Sequence, residues 1–266
     1  MTPVRDSQPG SLSKGLCILT SFDEKSPALS IAEIARRTEI SRASVYRLVG
    51  ALQQLGYIRK DGRLYRPSKK VLQLGVAAVE SREFLDHIRP YLDMIISALP
   101  EATAINYGVL EGTDIIYLAR CHQDDIITIN LRVGSRLPAH LSSLGKAILS
   151  QMAPDEAEKV VAEMTFERRT STTISGPDQY WAELDKARVS GIALNNQELT
   201  MGLRSVAAPV FHGSEVVGAV GVATLTTRAD LETLECDYGP VLVSFARQIS
   251  EEISGLRFDN RVPIHS

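Results

Sequence analysis

The sequence predicts an α+β protein made of two unlike domains, and three observations lead there. Apolar residues at helical spacing fill three short stretches between residues 11 and 55, and a short hairpin rich in Lys and Arg follows at once. From about residue 100 strands and helices alternate, with runs such as TAINYGVL and VVGAVGVATL separated by Gly-containing turns. Charge divides at the same place. Residues 1–75 hold 13 Lys and Arg against 6 Asp and Glu and the remainder 16 against 26, so the net −3 is +7 in front and −10 behind. A cationic quarter joined to an acidic remainder points to a polyanion as partner of the first part alone.

SLSKGLCILTSF places Leu12, Leu16, Leu19 and Phe22 on one face of a first helix, broken by Lys25-Ser26-Pro27. In SIAEIARRTEI, Ser30 and Glu33 form a capping box, and Ile31, Ile34 and Ala35 are the inner side of a short second helix. Ser41 then caps a third helix through its side-chain oxygen. Val45, Leu48, Val49, Leu52 and Leu55 follow the i, i+3, i+4, i+7, i+10 pattern and face the core.

At about 100° per residue, Ala43, Tyr46, Arg47 and Gly50 face outward, with Arg42 and Ser44 on the N-terminal flanks. Small residues permit close approach to another surface, and arginines donate to phosphates or to the guanine edge. YIRKDGRLYR reads as a two-stranded hairpin with Asp61-Gly62 as a type I′ turn signal and Ile58 and Leu64 inward. Arg59, Lys60, Arg63 and Arg66 are left as a basic wing. Three helices and a basic hairpin make a winged helix-turn-helix, whose helix enters the major groove of double-stranded DNA while the wing touches the backbone. The candidate DNA-binding residues are Ser30, Ser41, Arg42, Ser44, Tyr46, Arg47, Arg59, Lys60 and Arg63.

The run from Ser11 to Gly75, above all LSIAEIARRTEISRASVYRLVGALQQLGYIRKDGRLYRPSKKVLQLG, resembles the DNA-binding half of an IclR-type bacterial transcription regulator, and the likeness continues through nearly the whole chain. It implies a cytoplasmic homo-oligomer, a dimer or a dimer of dimers, that binds a palindromic operator and carries a GAF-like effector-binding domain for a small organic acid. The expected division is a tail over 1–10, the winged helix-turn-helix over 11–74, a linker and dimerisation helix over 75–99, the effector-binding domain over 100–257 and a tail over 258–266. The linker offers Val71, Leu72, Gly75, Val76 and Val79, then Leu85, Ile88, Leu92, Ile95 and Ile96 beyond a bend at Pro90. Apolar residues on more than one side call for partners on both: the second domain and another subunit.

In the second domain, strands are expected on either side of Glu111-Gly112, in IITINLRVG, in GIALNNQELTMG, and on either side of Gly213-Ser214. Helices are expected in SSLGKAILSQM, from Pro154 to Phe166, from Pro177 to Ser190 and from about Arg228 to Leu256. In RLPAHLSSLGKAIL, Pro138 stops a strand and Ser142 or Ser143 caps the helix carrying Leu144 and Lys146, and a helix start with adjacent hydroxyls suits a carboxylate. Asn195 and Ser205 are short polar residues at the ends of apolar strands, and Gly221 and Ala223 share a strand face.

In IclR-type regulators that bind small carboxylates, the resemblance implies that the effector is held by backbone N–H groups at this helix start and by the residues matching Asn195 and Ser205, with those matching Gly221 and Ala223 lining the pocket. Asn195 here replaces an acid, and Gly221 and Ala223 replace serines of glyoxylate-type sensors. That departure implies a larger, less polar cavity and a bulkier ligand such as an aromatic acid or a ring-cleavage product. The candidate effector-binding residues are therefore Arg132, Ser142, Ser143, Leu144, Asn195, Ser205, Gly221 and Ala223, with Arg120 a further source of charge and Arg204 an anchor for the Asn195–Ser205 loop. RLPAHLSSLGKAIL and ELTMGLRSVAAPVF look most like regulators of protocatechuate and β-ketoadipate pathway genes, which implies control of aromatic catabolism.

Other chemistries find little support. CHQDD, Cys121 to Asp125, is too compact to hold one metal ion, so no metal or cofactor is expected. His140 near Ser142 and Ser143 lacks a nucleophile elbow and a third member, and no phosphate-binding Gly loop occurs, which argues against an enzyme. Three scattered cysteines and the absence of a 20-residue apolar run fit a reducing cytoplasm and no membrane. A ligand-independent DNA-binding repressor whose second domain only oligomerises stays open.

Overall fold

The structure, a computed structural model, describes residues 10–23, 26–71, 82–99, 101–122 and 131–255, which fall into two units divided between residues 81 and 82. The first holds helices α1 (Ser11–Thr20), α2 (Ile31–Thr38) and α3 (Arg42–Gln54) and the hairpin β1 (Ile58–Asp61) and β2 (Leu64–Pro67). The capping box forms as expected: Ser30 Oγ accepts from the Glu33 amide at 3.3 Å, and the Ser30 amide donates to Glu33 Oε2 at 2.8 Å. Glu39 ends α2 in the left-handed region at φ 56°, and the Ser44 amide donates to Ser41 Oγ at 3.4 Å to start α3. Ile18, Ile34, Val45, Val49, Ile58 and Tyr65 close the core of this unit.

Four expectations change here. On α1 the buried side centres on Ile18, with Leu19 and Phe22 packed beside it, while Leu12 and Leu16 stand 79% and 52% exposed. The helix is apolar on two sides, and only the Ile18 side meets the other helices. Leu55 is 59% exposed because α3 stops at Gln54 and the periodicity no longer governs the next residue. In the wing Tyr65, not Leu64, turns inward. Asp61 pairs with Leu64, so the two-residue turn is Gly62-Arg63, and among these only Gly62 has positive φ, at 60°. That is the pattern of a type II′ turn rather than I′. Tyr65 also exchanges both backbone hydrogen bonds with Leu29, at 2.9 and 2.8 Å, which ties the wing to the approach to α2.

The second unit is a six-stranded antiparallel sheet of β3 (Ala104–Glu111), β4 (Asp114–His122), β5 (Arg136–Pro138), β6 (Ala193–Asn196), β7 (Leu203–His212) and β8 (Glu215–Leu225), in the order β5-β4-β3-β8-β7-β6. Helices α4 (Arg82–Ala98) and α8 (Gly239–Ser254) pack on one face through Leu85, Ile88, Leu92, Ile95, Ile249 and Ile253. The other face carries α5 (Ser143–Gln151), α6 (Pro154–Glu163) and α7 (Pro177–Ser190).

The apolar set from Leu85 to Ile96, expected to pack on the second domain and on another subunit, does pack on the sheet of the second unit, to which α4 belongs; in place of the expected bend, α4 runs through Pro90 without interruption. Residues 72–81, which hold most of the first linker set, lie outside the described residues. So do residues 123–130, which include most of CHQDD and of the strand expected in IITINLRVG. Its described end, residues 131–134, contains a turn and no strand, and the strand beside β4 is β5. The closing helix is interrupted by a π-helical stretch, Thr233–Tyr238, before α8 begins.

Helix α5 is buried from Ser143 to Ser150. It lies so close to the short 3₁₀ turn before it, Ala139–Leu141, that a Cβ on Gly145 would overlap the Ala139 carbonyl and sit 2.7 Å from its Cα. Backbone, not a flexible side chain, occupies that space. Gly145→Ala should therefore cost about 2 kcal/mol or more and lower the melting temperature by about 5 °C; a melt within a degree of the wild type would refute this packing.

Candidate functional site

The sequence-predicted DNA face is present on the first unit. Arg42, Ala43, Tyr46 and Arg47 are exposed on α3, which carries no acidic residue, and Ser44 is half-buried beside them. On the wing Arg59, Lys60 and Arg63 are exposed, and Lys60 Nζ lies 6.0 Å from the centre of the Tyr65 ring. The acid of the hairpin, Asp61, is taken by Arg66 at 3.2 Å. Two predicted contacts are already committed: the Ser30 hydroxyl donates to Glu33 Oε2 at 2.7 Å, and Ser41 bonds Ser44 Oγ at 3.0 Å. Both bonds hold helix starts in place. Arg37 is likewise structural, reaching Asp23 Oδ2 and the Ser21 carbonyl at 2.8 Å.

In the second unit a cavity opens at the start of α5. Ser142, Ser143, Leu144, Asn195, Ser205, Gly221 and Ala223 all line it, joined by Asn106, Tyr117 and a ring of leucines that includes Leu131, Leu199 and Leu203. The strand registers explain the convergence. Asn195 lies opposite Ser205, Ser205 opposite Ala223, and Gly221 between Ala207 and Asn106, so six residues scattered over more than a hundred positions form one patch of sheet. Arg132 is exposed and is not among the lining residues. The strand that was to carry it inward is a turn there.

Two details depart from expectation. Neither serine caps α5 with its side chain. Ser142 bonds the buried Tyr117 hydroxyl, whose pKa burial raises and this bond partly restores; Ser143 Oγ meets Ser205 Oγ at 2.8 Å. The first N–H groups of the helix are therefore left without a side-chain partner. The space above Gly221 is also occupied rather than open. A Cβ there would meet Leu144 Cδ2 at 3.0 Å, and the free volume is about 40 Å³. That is room for water, not for a ring, so a bulky ligand must displace Leu144.

Tyr117 and Asn106 were missed by sequence reasoning. An extra residue in β4, Leu118, shifts the pairing with β3 between Tyr107 and Gly108. Leu118 and Ala119 both pack toward α4 and α8, which puts Tyr117 and Arg120, three apart, on the cavity side. No sequence signal marks that bulge. Arg120 uses Nη1 to hold the Leu131 carbonyl.

Beneath the cavity, Lys146 of α5 is buried and donates to Glu198 Oε1 at 2.8 Å and to the Leu194 carbonyl at 3.0 Å. Glu198 returns a link to the lining, its amide donating to Asn195 Oδ1 at 3.3 Å, while Asn195 Nδ2 donates to the Leu141 carbonyl at 2.9 Å. Asn195 thereby ties the turn before α5 to the β6–β7 loop. As expected, Arg204 anchors that loop, through Asn196 Oδ1 at 2.9 Å and the Ala229 carbonyl at 3.2 Å. Among the described residues no three His, Cys, Asp or Glu group to hold a metal ion, and no helix is long and apolar enough to cross a membrane.

Comparison with known proteins meets this architecture end to end. The model of the IclR helix-turn-helix domain matches residues 11–62, and that of the bacterial transcriptional regulator IclR C-terminal domain matches residues 76–251. The Pca regulon regulatory protein of Pseudomonas putida is 37% identical over 247 residues, covering 92% of this chain and 84% of its own. A protein of Rhodococcus sp. RHA1 known from its crystal structure is 30% identical with a TM-score of 0.78, covering 93% of this chain and 99% of its own. An IclR homolog of Microbacterium hydrocarbonoxydans, crystallised with 4-hydroxybenzoate, shares the fold at a TM-score of 0.76 and 18% identity over 92% of this chain and 98% of its own.

The buried pair makes a stability prediction. Lys146→Met leaves the Glu198 carboxylate buried without its cation and should cost about 3–5 kcal/mol, read by urea unfolding. Lys146→Met with Glu198→Leu should recover much of that loss; a single variant as stable as the wild type would show that the pair contributes nothing.

Proposed function

This chain belongs to the IclR family of bacterial transcriptional regulators, and from that premise we propose that its grip on operator DNA is modulated by a small organic carboxylate bound at the start of α5, in the control of aromatic-acid catabolism. Members of the family are regulators, not enzymes, and the helix-turn-helix domain implies DNA binding. The observation that carries the finer reading is the buried start of α5. Its first N–H groups have no side-chain cap, carry the positive end of the helix dipole, and share a cavity with the Ser142, Ser143 and Ser205 hydroxyls. An anion there gains donors without having to strip a cap away. The likeness to the Pca regulon regulatory protein and the 4-hydroxybenzoate held by a structural neighbour both favour an aromatic acid.

The protein acts as a homo-oligomer, a dimer or a dimer of dimers, whose paired α3 helices read the two halves of a palindrome. The acid regulates by binding one arrangement of the reading heads more tightly than another, since equal affinity for both would shift nothing. Arg42, Tyr46 and Arg47 address the groove, and Arg59, Lys60 and Arg63 address the backbone.

Two measurements check this. In a heat-shift screen of aromatic and aliphatic acids, a binder raises the melting temperature by mass action, and Ser143→Asp, which sets a carboxylate at the helix start, abolishes the shift. A broad panel without effect, or a shift that survives Ser143→Asp, removes the site. For DNA, Arg47→Ala weakens operator binding by about 1–3 kcal/mol and blurs sequence preference, whereas Lys60→Ala weakens all sequences alike and lowers the salt slope by about one. Equal losses on operator and random DNA for Arg47→Ala would contradict its base-reading role.

A further inference from the structure

One polar atom in the lining of the α5 cavity has nothing to bond, and a second such atom belongs to its neighbour on the next strand. Asn106 on β3 is 7% exposed and lines the cavity, and its Oδ1 is buried without a hydrogen-bond partner. Directly across the ladder, in register with it, stands Arg120, half-buried, whose Nε is buried and equally without a partner. Cross-strand partners share a face and bring their Cβ atoms to about 5 Å. One atom is an acceptor lacking a donor and the other a donor lacking an acceptor. Leaving each unsatisfied costs about 1–3 kcal/mol, and buried polar groups of this kind mark where a missing partner belongs.

We infer that Asn106, seconded by Arg120, is the specificity-determining end of the cavity and recognises a hydroxyl on the effector, so that the ligand is a hydroxylated carboxylic acid rather than a bare one. This rests on the proposal that the carboxylate sits at the start of α5. A hydroxyl completes both bonds at once: its proton goes to Asn106 Oδ1 and its oxygen accepts from Arg120 Nε. A carbonyl cannot donate to Oδ1, and a fluorine can do neither.

The geometry sets the two ends apart. Ser205, bonded to Ser143 at the helix start, lies on β7, and Asn106 lies on β3, with β8 between them. Two strand spacings across and two residues along β8 separate them, about 12 Å in all, the reach of a small acid with a hydrogen bond at each end. Between them the floor is Gly221, Ala223, Ala104 and Ala207, with no side chain longer than a methyl. A flat ring lies on such a floor once Leu144 swings off Gly221.

The test is calorimetric titration of the full chain with benzoate, meta- and para-hydroxybenzoate, 3,4-dihydroxybenzoate and the fluorine analogues of the two monohydroxy acids. At least one hydroxylated acid should bind about ten- to a hundredfold more tightly than its fluorine analogue, and Asn106→Ala should erase that ratio, so that the hydroxylated acid and its fluorine analogue bind alike. If alanine prevents folding, Asn106→Val, which suits a strand, is titrated instead. Equal affinity of the wild type for hydroxyl and fluorine acids overturns this inference and leaves the carboxylate reading standing, as does a ratio that survives the Asn106 variants. Failure of the wild type to bind any of these acids, bare benzoate included, overturns the carboxylate reading and the hydroxyl subsite together.

Discussion

Lys146 carries a charge into the middle of the second unit, and burial of that kind is tolerable only with a charged partner and hydrogen bonds to help hold it. Glu198 at 2.8 Å provides the partner and the Leu194 carbonyl at 3.0 Å a second acceptor, which together take two of its three donors. The consequence reaches beyond charge balance. The pair pins α5 against β6 and the loop that follows it, and Glu198 in turn pins Asn195, which holds the turn in front of α5. Gly145 allows that turn to lie against the helix. One short helix is thus fixed at its side and at its start, and its N-terminus is aimed at a patch of small residues on the sheet. Everything the cavity offers a ligand follows from that aim.

The cavity in this state is nearly closed. Leu144 lies over Gly221, and Tyr117, Ser142, Ser143 and Ser205 satisfy one another. A ligand must therefore exchange these contacts for its own, displacing a leucine and parting a serine pair, and the groups it disturbs are the same ones that position α5 and the β6–β7 loop. The proposed regulation by a bound acid needs that property. A pocket already open and rigid would bind its acid without changing anything around it, and no differential affinity would be available to shift an equilibrium. The first unit works by the opposite principle: its arginines face outward on a helix without acids, with the acid of its wing paired away, so its DNA face is ready before the partner arrives.

Local chemistry decided much of this protein, and it was legible from the chain alone. Capping residues, 3.6-residue periodicity and Gly-centred turns each act over a few residues, so Ser30–Glu33, Ser41, Val45 and Val49, and the hairpins at Gly62, Gly112 and Gly213 could be placed without coordinates. The family likeness then named Ser142, Ser143, Leu144, Asn195, Ser205, Gly221 and Ala223, and the structure gathers all seven round one cavity. Where periodicity offered two choices, as on α1, only the packing of the other helices told Ile18 from Leu12 and Leu16.

Tertiary structure alone decided the rest, because it depends on which strand lies beside which and in what register. The extra residue at Leu118 turns Tyr117 and Arg120 to one side, and the β3–β4 pairing sets Asn106 across from Arg120. Nothing in their sequence neighbourhood announces either. Whether a glycine opens space or is filled by a neighbour is likewise a matter of volume, and at Gly221 it was settled by Leu144, seventy-seven positions away in the chain. Composition and spacing determine which elements form and which face of each is apolar; the distance between two side chains from different elements is set only when those faces meet.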